Sequence, residues 1–542
     1  MHLSPLICKI ITASALLIVI FTGCDSNGNS KNTGIGIGIA KDTIFPSNND
    51  RSIAGSFSTQ TQLTFDSIQL KRFLKKYNKF KPFEKDIYTF YRSRKYAYAW
   101  FDEKGLIEPA NNLYNRINNI SEEGIPDKLP YKENFTALMD AAGTDNKPSD
   151  SLELMLTCQY LEYANNVWKG LSEKDTRSME WLLPRKKLTY SQLLDSLANR
   201  SLTNEPVFRQ YHLLKDYLKR YRDIQAKNPL PVIKTDNKKL ALGDSGIVIT
   251  DIRQWFFTMG DIAANNNSNE FDIELLEGVK QFQSRNGLKD DGVIVPGLIA
   301  EMNIPIEKRI ESIMINMERS RWVPEKLKQD YLLVNIPEYK LHVIENDKRL
   351  FSMNVVVGKS QNKTVVFNGE LKYVVFSPYW NIPTSILRKE TLPAIRRDGN
   401  YLASHNMEWN NGKVRQKPGP DNSLGLVKFL FPNSHSIYLH DTPSKSLFNE
   451  SIRAFSHGCI RIAEAKKLAI YLLKYDPNWN DSSITAAMNS GKEQTVTLRK
   501  SVPVFIAYFT TWVDRSGKIN FRKDVYNRDS RLSKLILDKP SI

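Results

Sequence analysis

The sequence predicts a multidomain α+β protein: a helical scaffold, a small helical module, and a mainly β C-terminal domain interrupted by a long insertion. Three observations predict it. Apolar residues recur three and four apart between about residues 60 and 235, as in Leu152, Leu156, Tyr160 and Tyr163. Residues 236–303 hold short helical patterns between glycine-bounded turns. From Tyr331 the runs become β-rich, as in Leu332-Leu333-Val334-Asn335-Ile336 and Lys340-Leu341-His342-Val343-Ile344, bounded by Pro, Gly and Asn turns.

The chain opens on an export signal. Lys9 and the amino terminus supply positive charge, and Ile10 to Phe21 is apolar but too short to span a bilayer. Phe21-Thr22-Gly23-Cys24 resembles the lipobox of bacterial lipoproteins, although leucine is usual where Phe21 stands. The resemblance implies a signal peptide over 1–23 and a lipid on Cys24; a plain signal anchor is the alternative. The protein is then expected in the bacterial cell envelope, held to a membrane by that lipid and facing the periplasm. Residues 24–59 are rich in Ser, Asn, Gly and Gln and too poor in apolar groups to fold, so they read as a flexible tether.

Four cysteines occur in 542 residues, and two of them fall in this leader. Neither disulfide stapling nor a cysteine-based metal site is expected. Cys158 lies in the apolar run Leu154-Met155-Leu156-Thr157-Cys158 and reads as a buried small hydrophobe. The formal net charge of +17 raises the question of nucleic acid, but an exported chain with no such motif is expected to meet anionic envelope polymers instead. Lys71, Arg72, Lys75, Lys76, Lys79 and Lys81 read as a solvated helix face, with a contact patch as the alternative.

Residues 60–235 form the scaffold. Their dense aromatics, such as Tyr91, Tyr98 and Trp100, are expected in its core, and no catalytic constellation appears. In residues 236–303, Leu242-Gly243-Asp244-Ser245-Gly246 precedes Ile252, Trp255 and Phe256; Phe271, Leu275, Val279, Phe282 and Gln283 follow at helical spacing, then Asn286-Gly287-Leu288 and Asp291-Gly292-Val293. This order resembles the small three-helix peptidoglycan-binding domain of cell-wall enzymes, with Val295 replacing the glycine usual before Pro296. The resemblance implies glycan as a partner, and a plain helical spacer is the alternative. Ile306, Ile310, Ile313, Met314 and Met317 mark one face of a connecting helix over 304–328, expected to pack back on the scaffold.

The β region, residues 329–542, is expected to be a compact sheet sandwich. Between about 381 and 425 the strand signal lapses, and Asp398-Gly399-Asn400, Asn411-Gly412 and Pro418-Gly419-Pro420 mark turns. A loop that long inside a domain predicts a lid over the site, with an inert insertion as the alternative. Thr495 to Leu498 and Val502 to Tyr508 read as strands completing the sheet.

The chemistry concentrates in Ser456-His457-Gly458-Cys459-Ile460-Arg461, with Cys459 nineteen residues after the histidine of Tyr438-Leu439-His440-Asp441. A cysteine nucleophile acts as thiolate and needs a base. A thiolate–imidazolium pair would meet that need, and a neighbouring glycine lets the backbone turn amide N–H groups toward an oxyanion. With Asn335-Ile336-Pro337-Glu338-Tyr339, Val355-Val356-Val357-Gly358-Lys359, Pro378-Tyr379-Trp380-Asn381-Ile382-Pro383 and His440-Asp441-Thr442-Pro443, this motif resembles the L,D-transpeptidases, in the large branch that adds a helical scaffold and a peptidoglycan-binding domain.

The resemblance implies attack by Cys459 on a tetrapeptide stem, release of D-alanine, and transfer to the side-chain amine of diaminopimelate, giving a 3→3 cross-link. His440 would be the base, and His457 and Gly458 would shape the oxyanion site together with the Cys459 amide. Arg461 suits a carboxylate of substrate or of a structural partner. Asp441 is expected to orient His440 through its carbonyl or carboxylate. Together with Tyr379 and Trp380, read at the cleft with core packing as the default alternative, it completes the expected substrate-binding set. Carbapenem β-lactams are the implied inhibitors, and no cofactor is expected. The spacing of His435, His440, His457 and Cys459 matches no common zinc site, so no metal is expected. Two alternatives stay open: an L,D-carboxypeptidase using the same thiol, and a non-catalytic wall-binding lipoprotein.

Overall fold

The computed structural model describes residues 56–145, 147–198, 205–227, 230–325 and 329–537. The expected signal peptide, Cys24 and nearly all of the tether lie outside them. Among the described residues no helix is long and apolar enough to cross a membrane.

Helices including Ser67–Lys76, Glu84–Ser93, Glu108–Asn118, Asp150–Tyr163 and Arg209–Lys227 build the scaffold. The Asp150–Tyr163 helix is apolar on most sides and is accordingly buried from Leu152 through Tyr163. Cys158 sits on it fully buried, its thiol pKa pushed well up by desolvation, so it is inert packing. Phe57, Trp100 and Tyr160 meet edge to face in the same core, a geometry that suits ring quadrupoles. Helices Ile247–Met259, Ile273–Arg285 and Pro296–Met302 form the small module around their own core of Trp255, Phe256 and Phe282.

The helix Ile306–Trp322 joins two hydrophobic cores. Ile310, Ile313 and Met317 enter the scaffold core, while Ile315 and Trp322 enter the β-domain core. Its buried polar side is fully engaged: Glu318 accepts from the Leu171 amide at 2.6 Å, from Trp322 Nε1 at 2.7 Å and from Arg321 at 2.8 Å. It therefore does more than pack back on the scaffold.

The β domain is built from β1 (Tyr331–Asn335), β2 (Lys340–Glu345), β3 (Lys348–Gly358), β4 (Val366–Phe376), β5 (Val427–Leu430), β6 (Leu439–His440), β7 (Ile460–Ile462) and β8 (Gln494–Ala507). The ladder runs β5-β6-β7-β3-β2-β1-β8-β4, and β4 pairs back onto β5. The expected sandwich is thus a closed ring. Closure leaves these strands no open edge to cover. Pairing is antiparallel except between β6 and β7 and between β8 and β1. Beyond β8 the chain leaves the ring: the hairpin Thr511–Val513/Ile519–Phe521 packs Val513, Ile519 and Phe521 into the scaffold core.

The insertion between β4 and β5 is folded rather than a polar loop. It holds the helices Leu392–Arg397 and Tyr401–Ser404 and a small sheet of Trp380–Asn381, Lys413–Gln416 and Met407–Asn410. Ile382, Ile386 and Val414 make its core, with Trp380, Leu387 and Met407 packed around them. Single apolar residues separated by turns contribute that core, which is why no strand pattern was visible. Asn422 closes its base by donating to Pro378 O at 3.1 Å.

Candidate active site

The parallel β6–β7 pair does the positioning. Leu439 is opposite Ile460 and His440 opposite Arg461, and the Ile460 amide donates to Tyr438 O at 3.1 Å. Leu439, Ile460 and Ile462 point into the core. Strand alternation therefore puts Tyr438, His440, Cys459 and Arg461 together on the opposite face. One rung across that face reads Val375, Lys428, His440, Arg461, Val356. His440 thus has Arg461 on one side and, on the other, Lys428, whose ammonium pairs with Glu493.

His440 is 5% exposed, and its Nδ1 lies 2.6 Å from the carbonyl oxygen of Asp441. A carbonyl only accepts, so Nδ1 carries the hydrogen and Nε2 presents a lone pair. Burial first, and the Arg461 cation second, push the His440 pKa down to about 4, against the opposing pull of Asp441. Burial likewise raises the Cys459 thiol, opposed by hydrogen bonding from Tyr438 and by the Arg461 charge. The resting site accordingly favours a neutral thiol and a neutral imidazole on one face, with no hydrogen bond between them among the described contacts, where the sequence reading expected an ion pair. The low-polarity surroundings disfavour both charged forms.

Cys459 is half-buried, with Sγ 3.6 Å from Ser436 O. The nucleophile turn is held by Ser456, whose hydroxyl donates to Cys459 O at 2.5 Å and accepts from the Gly458 amide at 3.1 Å. Gly458 has φ +119°, a region open to glycine and strained for other residues. Its N–H is taken up by Ser456, so Gly458 shapes the turn through its backbone and leaves the Cys459 amide as the donor. No described acceptor takes the Cys459 N–H.

Other expected site residues fall elsewhere. His457 is exposed, with Nε2 3.1 Å from Glu390 Oε1 in the insertion, so its ring bridges two surface segments. The Asp441 carboxylate is engaged by the Leu426 amide at 3.0 Å and by Lys445, which leaves only its carbonyl facing His440 and removes it as a substrate contact. Tyr379 lies beneath the Arg415 guanidinium at 3.9 Å, and Trp380 packs against the insertion core, both half-buried, in keeping with the core-packing alternative. Arg461 is half-buried, and among the described residues it has no ion-pair partner, its Nε being buried without an acceptor. Of its two expected roles, the structural pair is absent.

Sequence reasoning passed over Tyr438, whose hydroxyl interacts with the Cys459 thiol and whose own pKa is driven far up by burial and then by that neighbour. Its place two residues before His440, on the same strand face, was the available signal. Lys428 was also missed, because its neighbourhood to His440 exists only across the β5–β6 register. Among the described residues no three His, Cys, Asp or Glu side chains gather as around a metal ion.

The sequence matches the L,D-transpeptidase catalytic domain over residues 329–485 and a scaffold domain over residues 85–218. A Haemophilus influenzae protein bearing a provisional L,D-transpeptidase name is 32% identical over 256 residues, 43% of this chain. The match takes in 51% of that relative, so the chain spans about half its length. A crystal structure of an L,D-transpeptidase from Stackebrandtia nassauensis covers 51% of this chain and 97% of its own, at 16% identity and a TM-score of 0.22. One from Mycobacterium smegmatis covers 33% and 58%, at 12% identity and a TM-score of 0.20. Overlaps of that size carry no structural argument. Residues 329–485, holding the Cys459–His440 face, belong to the L,D-transpeptidase catalytic domain family, joined here to a scaffold domain.

Proposed function

We propose that this chain is a peptidoglycan L,D-transpeptidase that forms 3→3 cross-links between stem peptides through a Cys459 acyl-enzyme. The observation that carries the reading is one strand face holding a thiol, an imidazole with its Nδ1 tied and Nε2 open, and an unpaired guanidinium.

The chemistry follows from those groups. A stem carboxylate seated on Arg461 offsets the charge that, after burial, helps keep His440 neutral, so the imidazole gains proton affinity as substrate arrives. Nε2 takes the thiol proton, and the sulfur adds to the carbonyl between the L- and D-centres. The oxyanion is met by the Cys459 N–H, a donor worth roughly 3–4 kcal/mol when well aimed. Collapse breaks the amide bond, and the imidazolium protonates the departing amine of D-alanine. The amine of a diaminopimelate side chain then attacks the thioester, gives its proton to His440, and the thiol is restored.

Export, a lipid on Cys24, a periplasm-facing membrane location and glycan contact by the small module complete the proposal. Incubating the purified chain with disaccharide-tetrapeptide tests it. Cross-linked dimer and free D-alanine are expected, both lost in Cys459→Ala. Tripeptide alone would indicate an L,D-carboxypeptidase, and no product would leave a wall-binding protein. Carbapenem should add one adduct to the wild type and none to Cys459→Ala.

A further inference from the structure

The oxyanion donor in this site belongs to a peptide plane whose own C=O and N–H find no described partner within the nucleophile motif, Ser456 holding only the planes on either side of it. The Gly458–Cys459 peptide adjoins a glycine, the residue for which flipping a plane costs least. In a trans peptide the C=O and the following N–H point in opposite directions. Whatever holds Gly458 O therefore also aims the Cys459 N–H.

The holder is Thr364. Its hydroxyl donates to Gly458 O at 2.9 Å and accepts from the Gly358 amide at 2.9 Å, so both of its hydrogen-bonding functions are committed. Thr364 is fully buried. Its own amide donates to the Tyr526 hydroxyl at 3.2 Å, and that hydroxyl donates to Gly358 O at 2.6 Å. Tyr526 is 2% exposed and comes from the C-terminal segment, beyond the hairpin that returns to the scaffold. The fit is close: a Cβ on Gly358 would stand 2.1 Å from Asn362 O and 3.1 Å from Gly458 Cα. The loop after β3 and the C-terminal segment thus form a clamp behind the nucleophile turn.

We propose that Thr364 is a positioning residue for the acyl-transfer step, fixing the Gly458–Cys459 plane so that the Cys459 N–H faces the developing oxyanion. This rests on the acyl-transfer reading above. The two reactions of one sulfur separate the role from simple support. Alkylation by iodoacetamide displaces iodide and forms no oxyanion; acylation by a carbapenem passes through one.

The experiment measures both rates at Cys459 in the full chain by peptide mass spectrometry, for wild type, Thr364→Val and Thr364→Ser, with melting curves alongside. Thr364→Val is expected to alkylate within about twofold of wild type and to acylate about 100-fold more slowly, the loss typical of one missing oxyanion donor. Thr364→Ser, which keeps the hydroxyl, restores acylation. Should both rates fall together in Thr364→Val, or neither fall, the inference is overturned while the acyl-transfer reading stands. A wild type that alkylates but accepts no acyl group sinks that reading and this inference with it.

Discussion

Acidification should weaken this fold through a single imidazole. The His440 pKa falls from an ordinary 6.5 to about 4, chiefly because the ring is buried and secondarily because Arg461 stands beside it. The folded state resists the proton that the unfolded chain takes up readily. Stability from this group is therefore complete above about pH 6.5, declines as pH falls, and is lost by about pH 4. That difference of about 2.5 units, at 1.36 kcal/mol each, makes the loss about 3 kcal/mol. Urea unfolding from about pH 7.5 to about pH 4.5 reads it directly, with His440→Gln as the reference that cannot titrate. Wild type should lose about 2.5 kcal/mol more than the variant across that window, the remainder following below about pH 4.5, and a ring NMR titration should give a midpoint near 4. Parallel pH dependences for the two chains would refute the reasoning, since they would mean that the imidazole binds protons equally well folded and unfolded.

Two further outcomes are expected. Arg461→Met should raise the His440 titration midpoint by about one unit and raise KM for a stem carrying a free carboxylate, with little change for an amidated stem; NMR and steady-state kinetics check the two halves. Glu318→Ala removes the acceptor of the Leu171 amide, the Trp322 indole and the buried Arg321 guanidinium, and should destabilise the chain by about 3–5 kcal/mol in chemical denaturation.

The fold was legible where one residue's neighbours are its neighbours in sequence. Apolar residues at helical spacing identified the Asp150–Tyr163 helix, and the β-rich runs after Tyr331 identified β1 and β2. The folded insertion escaped notice because Ile382, Ile386 and Val414 meet from segments that each look polar. Cys459 and His440 were legible for a different reason: rare residues in a tight motif carry their chemistry whatever surrounds them. The directions of their neighbours were not. His457 adjoins the nucleophile in sequence yet faces Glu390, and Asp441 adjoins the base yet offers only its carbonyl.

By itself, the sequence determined which atoms were available: one thiol beside a glycine turn, one histidine ending a strand, one arginine two residues beyond the sulfur. Tertiary structure alone decided which of them share a face, because the β6–β7 register aligns residues twenty-one positions apart. It also decided their charge states, since burial of His440 depends on everything packed around the ring. The closed ring and the Thr364 clamp belong to the same class. Each is made by groups distant along the chain, and no local pattern records a hydrogen bond between Tyr526 and Gly358.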